Sequence, residues 1–140
     1  MLHQIIYTSH SLVRMTGAEL AQLLEHSRRN NEALGITGLL LHADGSFMQT
    51  IEGEHEAIQR LLAKIRRDPR HTSLIVIADD LIESRSFGDW SMAFREVTRD
   101  EASAIPGFYQ KQADLTADDR NLARNLMQTF FKNAQLNEDR

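Results

Sequence analysis

The sequence predicts an α+β fold of the ferredoxin-like order β-α-β-β-α-β, with one extra strand added at its end. Three observations carry this. Short β-rich runs alternate with two amphipathic helical patterns, an Asp-Gly turn joins two adjacent runs into a hairpin, and no repeat or low-complexity tract interrupts the series.

HQIIYTS, near the start, is short and rich in β-formers and reads as the first strand. Thr16 and Glu19 stand at capping-box spacing. Leu20, Leu23, Leu24 and Ser27 then follow i, i+3, i+4, i+7, so one face of the first helix is buried, and Asn31 prolongs that stripe. Leu34-Gly35 closes the helix and GITGLLLH is the second strand. Ala43-Asp44-Gly45 turns the chain into SFMQTIEG, an antiparallel third strand. Ile58, Leu61, Leu62 and Ile65 mark a second amphipathic helix, ended by Asp68-Pro69. LIVIADD is the fourth strand, and Phe87 to Val97, with Trp90, Met92 and Phe94 in alternation, is expected as the fifth.

After Val97 the chain is more polar and is broken by Pro106-Gly107. Thr116 with Asp119 caps a last helix in which Leu122, Leu126, Met127 and Phe130 share a face. A boundary near 97 is expected, dividing a core domain (1–97) from a C-terminal helical extension (98–140). The core sheet has two faces and its two helices cover one, so the extension is expected to cover the other, where Ile6 and Met48 point.

With 140 residues and two prolines the chain suits one compact domain. It has no cysteine, which excludes disulfides and thiolate metal sites. The start resembles no secretory leader and no apolar run approaches the ~20 residues a membrane span needs, so a cytoplasmic protein is expected. A net charge of −4 provides no general pull toward nucleic acid.

The informative anomaly is polar residues on faces that the pattern assigns to the core. Ser27 and Asn31 extend the apolar stripe of the first helix. Gln49 stands between Phe47 and Ile51 on one face of the third strand, and Tyr7 shares a face with Ile5 and Ser9. An unpaired buried amide costs roughly 1–3 kcal/mol against a total stability of ~5–15 kcal/mol, so each needs a partner. A single such residue is usually satisfied by neighbouring protein groups. Four that converge on one gap between sheet and helices suit a planar heteroaromatic ligand, with Ile36, Leu40 and Ile65 as apolar walls. Arg28, Arg29, Arg66, Arg67, Arg70 and His71 gather near the helix C-termini. They are either solvated charges that favour those ends or, for Arg28, Arg70 and His71, partners of ligand phosphates. There is no glycine-rich phosphate cradle, nucleophile elbow or H-E-x-x-H motif. Glu52 and Glu54, a carboxylate pair at a turn, are expected to serve a helix N-terminus rather than acid–base chemistry.

Taken in order, Tyr7 with Ser9, SRRNN at 27–31, GITGLLL at 35–41, FMQTIEG at 47–53, DPRH at 68–71 and RSFGDWSM at 85–92 resemble the BLUF family, sensors of blue light using FAD. The resemblance runs from about His3 to Phe94. It implies noncovalent FAD, with Tyr7 as light-driven electron donor and Gln49 as the hydrogen-bond switch beside the ring. Asn31 would hold the pyrimidine edge with Ser27 nearby, and Ile65 would pack on the ring. Arg70 and His71 would lie toward the ribityl and phosphate part. Trp90 and Met92 would report the switch, with Trp90 placed near the flavin or away from it. Beyond Phe94 the match fades; a signalling protein rather than an enzyme is expected, a homo-oligomer whose output passes through a downstream partner, with no nucleic acid or membrane involved. Two alternatives on the same fold are a small acyl-phosphate hydrolase, with Arg14 in its anion loop, and a flavin-free interaction module.

Overall fold

The computed structural model describes residues 1–11, 15–69, 71–110 and 112–137. Strand β1 (Leu2–Ser11) leads to α1 (Gly17–Leu34), then β2 (Thr37–Ala43), β3 (Ser46–Glu54), α2 (His55–Arg67) and β4 (His71–Ile82). Strand β5 (Ala93–Glu96) and the short α3 (Arg99–Ser103) precede the long terminal helix α4 (Ala117–Asn137). The sheet order is β4-β1-β3-β2-β5. Its first four strands are antiparallel neighbours, and β5 adds in parallel to β2. This is the expected ferredoxin-like arrangement with its extra strand, and β1 and β3 lie at its centre.

Local chemistry sets the boundaries. Thr16 accepts from the Glu19 amide while the Glu19 carboxylate accepts from the Thr16 amide, completing the capping box. Gly35 ends α1 at φ 68° and its amide reaches back to Asn31, a left-handed conformation that favours glycine. Asp44 and Gly45 both have positive φ, as a tight hairpin turn requires.

The fifth strand is much shorter than the pattern of 87–97 predicts. The amides of Ser86 and Phe87 donate to the side chain of Glu52 rather than to a neighbouring strand, and Trp90 N–H turns back to Phe87 O. Gly88 lies at φ 56°. Alternation along 87–92 therefore comes from a pinned loop, joined to β2 by the single bond from Gly38 N–H to Trp90 O, and the regular ladder begins at Ala93. Helix α3 lies in a stretch that reads as polar and irregular. The signal for it was the T-x-x-E of Thr98 and Glu101, which forms a second reciprocal capping box.

Each sheet face carries its own core. Ile5, Tyr7, Leu40, Phe47 and Ile51 pack under α1 and α2. Ile6, Leu39, Leu41 and Met48 point the other way, where Ala123, Met127 and Phe131 of α4 cover them together with Ile105, Phe108 and Leu115. The apolar stripe of α4 is thus rotated from the one expected. Leu122 is exposed, Leu126 and Phe130 are only partly buried, and the i, i+4, i+8 row 123–127–131 faces the sheet. Among the described residues no helix is long and apolar enough to cross a membrane.

Candidate functional site

Between α1, α2 and the sheet lies a half-open cleft of about 470 Å3. Tyr7 and Gln49 face each other directly across β1 and β3, and Leu40 flanks Gln49 from β2. Strand parity turns all three to the helix side. Ser27, Asn30 and Asn31 line the cleft from α1, with Leu23 one turn earlier, while Leu61 and Ile65 line it from α2. The site is therefore an apolar slot with a few placed polar groups, the usual form of a small-molecule site.

The polar groups are connected. Tyr7 Oη–H donates to Gln49 Oε1, and both side chains are buried. The other end of the amide, Gln49 Nε2, lies 3.2 Å from Met92 Sδ. Burial pushes the Tyr7 phenol well above its ordinary pKa, so it keeps its proton across neutral and alkaline pH. Asn31 Nδ2 donates to Ser91 O, while Asn31 Oδ1 is buried without a protein partner among the described residues. An orphaned acceptor in the wall of an apolar slot calls for a ligand N–H. The imide edge of a flavin supplies one, and the slot's aliphatic walls suit its flat ring, so the residues present fit that cofactor.

Of the residues singled out from sequence, Tyr7, Ser27, Asn31, Gln49 and Ile65 line one cleft. Met92 joins them through Gln49. Arg28 does not line it: one residue on from Ser27 turns it about 100° around the helix, and its Nε donates to Met92 O at 3.0 Å instead. Trp90 lies on the opposite face of the sheet, edge-on to Phe131 of α4 at 6.2 Å. Ile36 is buried in the same core but does not line the slot. Arg14 and Arg70 lie outside the described residues, as does the side chain of His71.

Sequence reasoning gave His26, Asn30 and Lys64 no place at the site and set Arg67 only among the charges near the helix C-termini; all four line the cleft. For three of them the signal was present: 23–26–27–30–31 and 61–64–65–68 continue each helix's inward-facing stripe toward its C-terminus, while Arg67 falls outside it. Glu52 also departs from expectation. It serves no helix terminus; its carboxylate is fully buried and accepts from Thr37 and from the amides of Ser86 and Phe87. Glu54 immediately precedes α2 but makes no side-chain capping bond.

A ferredoxin-like sheet with a slot of this kind under its helices defines a small-molecule-binding domain. Residues 2–93 match the family described as BLUF, sensors of blue-light using FAD. The chain is 35% identical over 92 residues to the photoactivated adenylate cyclase subunit beta of Euglena longa, covering 65% of this chain and only 11% of that relative. It is similar in structure to the BLUF protein BlrB in its dark state (TM-score 0.71, 33% identity), covering 92% of this chain and 96% of that one. A Klebsiella pneumoniae BlrP1 structure with FMN and cyclic diGMP matches at TM-score 0.63 and 32% identity, over 69% of this chain and 26% of that one. The chain belongs to the BLUF family: it is a flavin-binding, blue-light-sensing domain.

Proposed function

We propose that this protein binds FAD noncovalently and converts blue light into a changed hydrogen-bond pattern at Gln49, which a partner protein reads. The observation that carries this is the buried chain Tyr7–Gln49–Met92, set in the wall of a slot that also holds the unpartnered Asn31 Oδ1. Tyr7, Ser27, Asn31, Gln49 and Ile65 would hold the ring, and Lys64 and Arg67 at the mouth, with Arg70 and His71, would meet the phosphates. When bound, the excited flavin supplies an electron acceptor. Tyr7 is the donor, and its phenolic proton has Gln49 Oε1 as its immediate acceptor. An amide has a donor end and an acceptor end, so rotating or tautomerising Gln49 exchanges what it presents to the ring. The same movement alters its contact with Met92 and so reaches the segment before β5.

The direct test is an absorption spectrum before and after blue light. A reversible red shift of the flavin band is expected; a colourless or light-insensitive protein sinks the reading. Gln49→Leu fills similar volume without an amide, so it should bind flavin and lose the shift. A normal shift in that variant removes Gln49 from the mechanism.

Noncovalent binding has its own check. If the flavin is held without a bond to the chain, acid precipitation should leave all of it in the supernatant. Flavin in the pellet contradicts the proposal.

The matched relatives include a cyclase subunit several times longer than this chain. Here α4 covers the second sheet face and touches Trp90 through Phe131. That placement supports α4 as the element through which the switch reaches a downstream partner, rather than an activity of the domain itself.

A further inference from the structure

The segment 86–92 bridges the two faces of the sheet. Met92 touches Gln49 on the flavin side, and two residues earlier Trp90 stacks edge-on against Phe131 on the α4 side. A change at Gln49 reaches α4 through this segment only if one end of it is held; an untethered loop would absorb the movement within itself. The far end is held by Ala93–Glu96 in the sheet. What holds the near end is Glu52, a buried acid that the photochemistry does not use.

We propose that Glu52 is a positioning residue whose carboxylate makes residues 86–87 a fixed pivot, so that light-driven movement of Met92 is delivered to Trp90 and α4. This rests on Gln49 and Met92 switching as proposed above. Glu52 is fully buried, and every contact uses it as an acceptor, as a carboxylate does. Phe87 N–H and Thr37 Oγ1 reach one oxygen, each at 2.9 Å, and Ser86 N–H reaches the other at 2.9 Å, with a long contact from Gln4 Nε2 at 3.4 Å. A buried charge is tolerated when donors of this kind surround it, and removing them is costly. Glu52 therefore ties the loop backbone to three strands at once.

The surroundings reinforce the pivot. Arg85 bonds Thr37 Oγ1, Glu52 O and Gly35 O. Gln128 of α4 donates to Ser86 Oγ at 3.2 Å, and Phe87 packs edge-on against Phe131 at 5.0 Å. Immediately beyond, Gly88 at φ 56° gives the chain a hinge that favours glycine. Between the held start and the held strand, Trp90 O, Ser91 O and Met92 O accept from Gly38 N–H, Asn31 Nδ2 and Arg28 Nε, so 88–92 moves as a tethered segment and not as a free loop. Glu52 also lies three residues from Gln49 on β3, so pivot and switch share one rigid element.

Trp90 is the chain's single tryptophan, so 5-fluorotryptophan gives one 19F resonance that reports its packing. In the flavin-loaded full chain, illumination should red-shift the flavin and displace this resonance. Glu52→Gln keeps the size but places an amide NH2 against one of the loop N–H groups. It should keep the flavin shift, since Tyr7 and Gln49 are untouched, and lose the 19F displacement. A displacement equal to that of the wild type overturns the proposal. No flavin shift in the wild type overturns the Gln49 reading and this one with it. Should the variant fail to fold, amide hydrogen exchange on the wild type decides. The Ser86 and Phe87 amides should stay protected in dark and light alike, and rapid exchange in either state overturns the pivot.

Discussion

Tyr7→Phe is expected to bind flavin normally and to lose the long-lived red-shifted state entirely. The ring shape survives, so the packing against Ile5 and Phe47 on its face of the sheet is kept. What is lost is the phenolic O–H that donates to Gln49 Oε1. Burial holds that phenol protonated, so Tyr7, as the proposed donor, has a proton to release with its electron, and phenylalanine has none. Leaving Gln49 Oε1 without its donor should also cost roughly 1–3 kcal/mol, visible as earlier unfolding in urea with flavin bound. Light-minus-dark difference spectra over minutes after a blue pulse check the main outcome. A reversible red shift of wild-type size in this variant would remove Tyr7 as the donor.

Truncation after Val97 is the second large effect. It removes Ala102, Ile105, Phe108, Leu115, Ala123, Met127 and Phe131, all buried against the sheet. A large side chain fully buried contributes ~1.5–3 kcal/mol, so losing five of them removes stabilisation on the order of the whole ~5–15 kcal/mol of a typical domain. The exposed face would present Ile6, Leu39, Leu41 and Met48 side by side, an apolar patch of the kind that becomes an interface. The truncated chain should be largely insoluble or recovered as a different oligomer. Any soluble fraction should keep the flavin shift, because the slot belongs to the core on the other face. Sedimentation in light and dark is the check. A truncated chain as soluble as the full one, with the same oligomeric state in both conditions, would show that the 98–137 segment is not an essential cover.

Much of this was legible in the residues themselves. Thr16/Glu19, Gly35 and Asp44-Gly45 act through bonds to their own neighbours, and each turned out where local chemistry requires it. Strand parity was enough to put Tyr7 and Gln49 on one face and Ile6 and Met48 on the other. Helix period was enough to bring Ser27, Asn31 and Ile65 to the same gap. These are properties of periods 2 and 3.6, which any reader of the chain possesses.

Other features depend on contacts between residues far apart in the chain, and no local pattern contains them. The alternation of Trp90, Met92 and Phe94 reads as a strand, yet Glu52, more than thirty residues earlier, captures the amides of Ser86 and Phe87 and holds the chain in a loop until Ala93. That loop lets Met92 reach Gln49 while Trp90 turns to Phe131 on the opposite face. Arg28, already turned out of the cleft by the helix period, finds its acceptor, Met92 O, on the same segment. The docking angle of α4, which buries Ala123 and Phe131 and leaves Leu122 in solvent, is set by the shape of the sheet face beneath it. A helix with apolar residues on two adjacent sides has more than one face to offer, and only the packed partner selects between them.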